Sequence, residues 1–147
     1  MTEASAQGMA SQPARPAPGT VGDVMRPAVT TAEQDGHLAG AAYLMRHARA
    51  TALVVVEDQG SRQPVGLITE ADIVRAVADG KDVNEVRIRD AMTVRLTAID
   101  AQTSIRDAAE SMMTGHFRHL PIVDDGGVVG IVDIRDVCRA LLDLSVR

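Results

Sequence analysis

Apolar positions recur along this chain in two kinds of spacing, and the same succession of spacings appears twice. Residues 52–57 and 65–69 form apolar runs of strand length, and residues 120–124 and 128–132 repeat them. Around these runs the spacing changes to three and four. Leu38, Ala41, Ala42 and Met45 share one face of a predicted helix over 36–47. A second helix is predicted over 70–79, stopping at Gly80. In the second copy Ser104-Ile105-Arg106-Asp107 opens a helix with a capping-box pattern, and Asp125-Gly126-Gly127 marks a hairpin tip. Val29-Thr30-Thr31 is expected to be a short β-branched strand, so each copy runs strand, helix, strand, strand, helix.

The copies align residue by residue. Gly66-Leu67-Ile68-Thr69-Glu70-Ala71-Asp72 recurs as Gly130-Ile131-Val132-Asp133-Ile134-Arg135-Asp136. The offset is 67 from Asp23-Val24-Met25 through Leu53–Asp58, then 64 after a first-copy loop (59–64) that is three residues longer. Such a change belongs at a hairpin tip, where insertions cost little. The unbroken run Leu53-Val54-Val55-Val56 calls for cover on both faces. Helices on one side and the sister copy on the other supply it. The expected fold is therefore α+β: two pseudo-two-fold-related β-α-β-β-α repeats packed sheet to sheet, at 20–80 and 88–145, with a linker at 81–87 and two related clefts between them.

Composition narrows the function. Of 147 residues 46% are hydrophobic, but Tyr43 and Phe117 are the only aromatic ones, which argues against a base-stacking surface. A net charge of −5 argues against a nucleic-acid backbone as partner, while leaving room for a small anion in a local basic pocket. The single cysteine, Cys138, forms no internal disulfide and is expected to be a buried, inert thiol on an apolar helix. No apolar run approaches bilayer length, so no membrane partner is expected. Residues 1–19, rich in Ala, Ser, Gln and Pro without an apolar core, are expected to be a disordered tail rather than a secretion signal. A cytoplasmic protein is expected.

Met25-Arg26-Pro27, Leu120-Pro121 and the Gly-led Thr69-x-x-Asp72 motif, repeated in register, resemble CBS domains, two of which in tandem form a Bateman module. The resemblance covers about residues 20 to 145. It implies that each cleft is a potential site for an adenosine-containing ligand: AMP, ADP, ATP, S-adenosylmethionine or a dinucleotide. It also implies a flat homodimer formed through helices, for which Leu141, Leu142 and Leu144 offer apolar faces.

The motif has its own chemistry. It sits where a strand turns into a helix, so free N–H groups and the positive dipole end face the cleft. The Thr69 hydroxyl can donate to a phosphate oxygen, and the two oxygens of Asp72 can accept from ribose hydroxyls. The same pattern is also a plain helix cap. In the second copy Asp133 replaces the threonine, putting a carboxylate where a phosphate would sit. The family resemblance further implies that the segment before the second strand of one repeat reaches the other repeat's ligand. Arg118 and His119 would then serve the Thr69 cleft, with Leu67, Val94 and Leu96 walling an adenine. The weaker second cleft would have Thr30, Thr51, Asp133 and Asp136, and no positive charge.

Other chemistry finds little support. His116-x-x-His119 has metal-like spacing without further ligands, so no metal is expected. No nucleophile-elbow or P-loop pattern occurs, and no cofactor beyond a regulatory adenine nucleotide is expected. Asp79, Asp82 and Glu85 are expected to be a solvated linker. The expected protein is thus a regulatory ligand sensor rather than an enzyme. The chain ends at Arg147 directly after its last helix, so output is expected to pass through another chain, an unknown effector protein. The alternatives are a structural or interaction dimer with vestigial clefts, and an S-adenosylmethionine sensor.

Overall fold

The structure, a computed structural model, describes residues 19–28 and 30–145. The expected tail at 1–19 lies outside the described residues except for Gly19. Strands are β1 (Arg26–Pro27), β2 (Ala32–Glu33), β3 (Ala52–Val56), β4 (Pro64–Thr69), β5 (His119–Asp124) and β6 (Gly127–Asp133). Helices are α1 (Leu38–Ala48), α2 (Glu70–Ala78), α3 (Ile88–Ala91), α4 (Ile105–Gly115) and α5 (Ile134–Ser145). They form two three-stranded sheets, β2-β3-β4 and β1-β6-β5. This is the expected α+β pair of repeats.

The expected strand at 29–31 is replaced by two shorter ones. The chain pairs first with the second repeat's sheet, Arg26 opposite Ile131, and then with its own, Ala32 opposite Val55. Val29 lies outside the described residues, and Thr30 is a bend between the two pairings. Changing sheets in so short a stretch leaves no room for one continuous strand. The second repeat copies the route with isolated bridges, Thr93 to Leu67 and Ile99 to Ile122. These are the same pairings displaced by the two sequence offsets, so the two-fold relation extends to individual backbone partners.

Each sheet carries helices on one face and the other sheet on the opposite face. Leu53, Val55 and Ile68 pack against Leu38, Ala41 and Met45 of α1 and Ala76 of α2. Their counterparts Leu120, Ile122 and Val132 meet Ile105, Ala108, Met112 and Ala140. The alternate residues Ala52, Val54 and Val56 join Leu67, Val128 and Ile131 in a third cluster between the sheets. Period-two alternation on a doubly covered strand explains why all of β3 is buried.

Turn chemistry sets the ends. Asp125 and Gly126 both take positive φ, 51° and 81°, as a two-residue hairpin turn requires. Gly80, at φ 74°, follows α2 as its left-handed stop. The linker, expected to be solvated, is partly built into the fold. The Leu38 and Ala39 N–H groups donate to the Val86 and Val83 carbonyls at 3.0 and 2.9 Å, which caps the start of α1. The longer loop of the first repeat is likewise tied down: Arg62 donates to the Ala28 carbonyl, and its own carbonyl accepts from the Val128 N–H at 2.9 Å. Cys138 corrects an expectation too, because it is exposed. The buried stripe of α5 runs through Asp136, Val137 and Ala140, leaving position 138 on the outer face.

Candidate functional site

Two cavities of unequal size lie at equivalent edges of the sheet-to-sheet interface. The larger, about 720 Å³, has Leu67 and Leu96 as apolar wall and Thr69 at the start of α2. Arg118 and His119 reach it from the turn before β5. Five of the seven residues expected in the principal cleft thus face one space. Its volume lies in the range of small-molecule sites. The smaller cavity, about 230 Å³, is lined by Arg26, Thr30, Ala52 and Ile131 among others.

Two of the seven stand elsewhere. Val94 is 65% exposed and absent from the wall. The Thr93–Leu67 bridge fixes the register there, and the residue after a paired one points the other way. Asp72 is buried behind Thr69 and closes a capping box. Its Oδ2 accepts from the Thr69 N–H at 2.9 Å and from the Thr69 hydroxyl at 3.0 Å. Its Oδ1 lies 3.3 Å from the Arg75 guanidinium. The hydroxyl proton of Thr69 is therefore already committed, and an incoming ligand would have to compete for it.

The four residues expected in the second cleft do not stay together. Thr30 lines the smaller cavity, but Thr51 and Asp133 line the larger one. Asp136 is buried, accepts from the Asp133 N–H at 3.1 Å, and pairs with Arg26 at 3.3 Å. A cation does reach this motif, contrary to expectation, because β1 crosses to the second repeat's sheet and carries Arg26 with it.

The chain matches the CBS domain family over residues 21–79 and again over 88–143. It belongs to that family. An uncharacterised protein of Acidianus ambivalens is 39% identical over 122 residues, covering 82% of this chain and 68% of that one. The CBS domain-containing protein YhcV of Bacillus subtilis is 34% identical over 119 residues, covering 80% and 82%. Among solved structures, the CBS domain pair of protein MJ0100 in complex with 5'-methylthioadenosine and S-adenosyl-L-methionine has a TM-score of 0.74 at 28% identity, covering 83% of this chain and 94% of that one. The chain spans less than two thirds of several other curated relatives.

The larger cavity of this CBS pair is more basic than its motifs announce. Arg95, Arg118 and Arg135 all line it, against the carboxylates of Glu70 and Asp133. Their counterparts by the repeat offsets are Ala28, Thr51 and Ala71. Arg95 and Arg135 escape motif reading because the first copy has alanine at both equivalent positions. Only a line-by-line comparison of the charges in the two copies would have found them.

Burial pushes the His119 imidazole below its ordinary pKa, and Arg118 adds to the effect, while Asp133, Glu70 and Asp136 oppose it. His119 is therefore neutral at pH 7, with Nε2 2.8 Å from the Thr51 hydroxyl across the repeat boundary. It serves as a hydrogen-bond partner, not a cation. Burial also pushes the Asp133 carboxyl up, but the Asp136 N–H, the nearby Arg26 and the Arg135 N–H together hold it below its ordinary value. Asp133 is thus an anion at neutral pH.

The depressed His119 pKa has a sign. As pH falls through the ordinary imidazole value of 6.5, the unfolded chain takes up its proton before the folded one. The contribution to stability is complete above that value and is lost below it. Urea midpoints at about pH 7.5 and about pH 5.5 should differ less in His119→Gln than in the parent. An equal difference in both proteins would show that this histidine does not couple folding to protons.

Proposed function

We propose that this CBS pair is a regulatory module that binds one adenosine-containing ligand, of the AMP, ADP or ATP class, in the larger inter-repeat cavity. Occupancy would change how the two repeats meet and so alter a homodimer or an effector-binding surface. The observation that carries the reading is the cavity itself. Leu67 and Leu96 offer an apolar slot, Thr69 starts a helix beside it, and three arginines stand at its edge. An adenine, a ribose and phosphates make the same succession of demands.

S-adenosylmethionine is the second reading. It is favoured by Glu70 and Asp133, which suit a ligand bearing positive charge, and by the ligands bound to MJ0100. A homodimer accords with exposed apolar residues on the helices: Tyr43, Val74 and Val77 on one repeat, Met113, Leu141 and Leu144 on the other. A scaffold with vestigial clefts would need only these faces. We place the protein in the cytoplasm. Among the described residues no helix is long and apolar enough to cross a membrane.

Calorimetry against AMP, ADP, ATP and S-adenosylmethionine tests the proposal. Binding near one ligand per chain supports it, and silence across the panel leaves the scaffold. Asp72→Ala is a poor probe of contact with ligand, because Asp72 holds the α2 cap. Losing such a cap costs about 0.5–2 kcal/mol. Its urea midpoint should fall, with or without ligand. An unchanged midpoint would mean that the capping box contributes little.

A further inference from the structure

Equivalent stretches of the two repeats line the two cavities, yet one is about 720 Å³ and the other about 230 Å³. Where the chain enters each wall, the larger cavity has Thr93 and the smaller has its counterpart Arg26. Thr93 bridges Leu67, and Arg26 pairs with Ile131, so the two backbones are equivalent and the side chains are not. The Arg26 guanidinium extends to the buried Asp136 carboxylate at 3.3 Å. In the first repeat the equivalent carboxylate, Asp72, is met instead by Arg75 of its own helix, also at 3.3 Å. The second repeat possesses the counterpart of Arg75, namely Arg139, but Asp136 forms its ion pair with Arg26. A local contact in one repeat is a cross-repeat contact in the other.

We propose that Arg26 decides which cleft takes a ligand, by standing in the smaller one as a built-in occupant. Asp136 anchors its guanidinium at 3.3 Å, and the Arg26 side chain lines the smaller cavity where the larger one has Thr93. A charge-assisted bond of this kind is stronger than one from a neutral hydroxyl. A nucleoside therefore does not displace it, and binding is limited to the larger cavity. This rests on the proposed nucleoside-binding reading of the clefts, but its test reports on a different cavity.

Adenosine titrated into the full chain, with amide NMR shifts as readout, separates the two. In the parent protein, shifts are expected around Leu67, Thr69 and Leu96 alone. In Arg26→Ala a second set is expected at Ala28, Thr30 and Ile131. Arg26→Met, which keeps the stem, should give a weaker second set and guards against a packing defect. Conversely, Thr93→Arg should erase the first set by placing a guanidinium in the larger cavity. A first set that persists in Arg26→Ala without a second overturns the plug and leaves the proposed function standing. A second set already present in the parent also overturns it. No shifts in any variant sink both.

Discussion

Arg118→Glu is expected to lower affinity for ATP by roughly a hundredfold while moving the melting temperature by no more than about 2 °C. The Arg118 side chain is exposed at the cavity mouth and has no hydrogen bond or ion pair among the described residues, so the fold loses little with it. The site loses a cation and gains a third carboxylate beside Glu70 and Asp133. Because the group is exposed, its effect is screened, and the gap between parent and variant should narrow as salt is raised. Calorimetry at low and high ionic strength reads both effects. Equal ATP affinity in the two proteins would show that phosphate does not lie at this end of the cavity. Binding of S-adenosylmethionine that survives the change, with no ATP binding in the parent, would favour the second reading.

The architecture was legible because duplication prints the same contacts twice. Leu38, Ala41 and Met45 recur as Ile105, Ala108 and Met112, and both sets are buried under their own sheet. The unbroken apolar run Leu53-Val54-Val55-Val56 announced a strand covered on both faces, and the third cluster between the sheets is the second cover. The exchange of first strands between sheets was not legible. Residues 26–33 pair with two different partners, and nothing local in Arg26-Pro27 names β6 as one of them. That one topological fact accounts for most of the differences at the site. It carries Arg26 to Asp136 and turns Val94 outward. Thr51 and Asp133, grouped by motif with the second cleft, line the cavity that also holds Thr69. Motif spacing reports what a residue is bonded to along its own helix, not which cavity its side chain enters.

Arg118 was expected at this cleft from the family resemblance, but its convergence there with Arg95 and Arg135 needed the fold. Arg95, Arg118 and Arg135 come from three separate segments of the second repeat: the stretch after α3, the turn before β5 and the first turn of α5. Only the closed sheet-to-sheet arrangement brings them to one mouth. The composition, with acidic residues in excess, pointed the other way. Net charge describes the whole surface, whereas a site is governed by what lies within about a Debye length of it.

Gly66→Ala and Gly130→Ala should each destabilise the fold by about 1–3 kcal/mol, yet only the first should also weaken ligand binding. Neither glycine is needed for a positive φ; each is needed for close approach. A Cβ at Gly66 would lie 2.5 Å from Met92 Sδ and 3.1 Å from the Thr93 carbonyl. At Gly130 the same atom would meet Met25 Sδ at 2.5 Å and the Arg26 carbonyl at 3.0 Å. The thioether can swing aside, but the carbonyl is held by strand pairing. Leu67 and Thr93 exchange two backbone hydrogen bonds of 2.9 Å, and both line the larger cavity. Pushing that pair apart shifts Leu67 and Leu96 against each other and spoils the slot between them. Chemical unfolding of both variants, with calorimetry on each, separates the effects. Met92→Ala in the Gly66→Ala background should recover part of the stability if the sulfur is the main obstacle, and none if the carbonyl is. Equal loss of ligand affinity in both variants would mean that the two cavities are coupled more tightly than their separate walls imply.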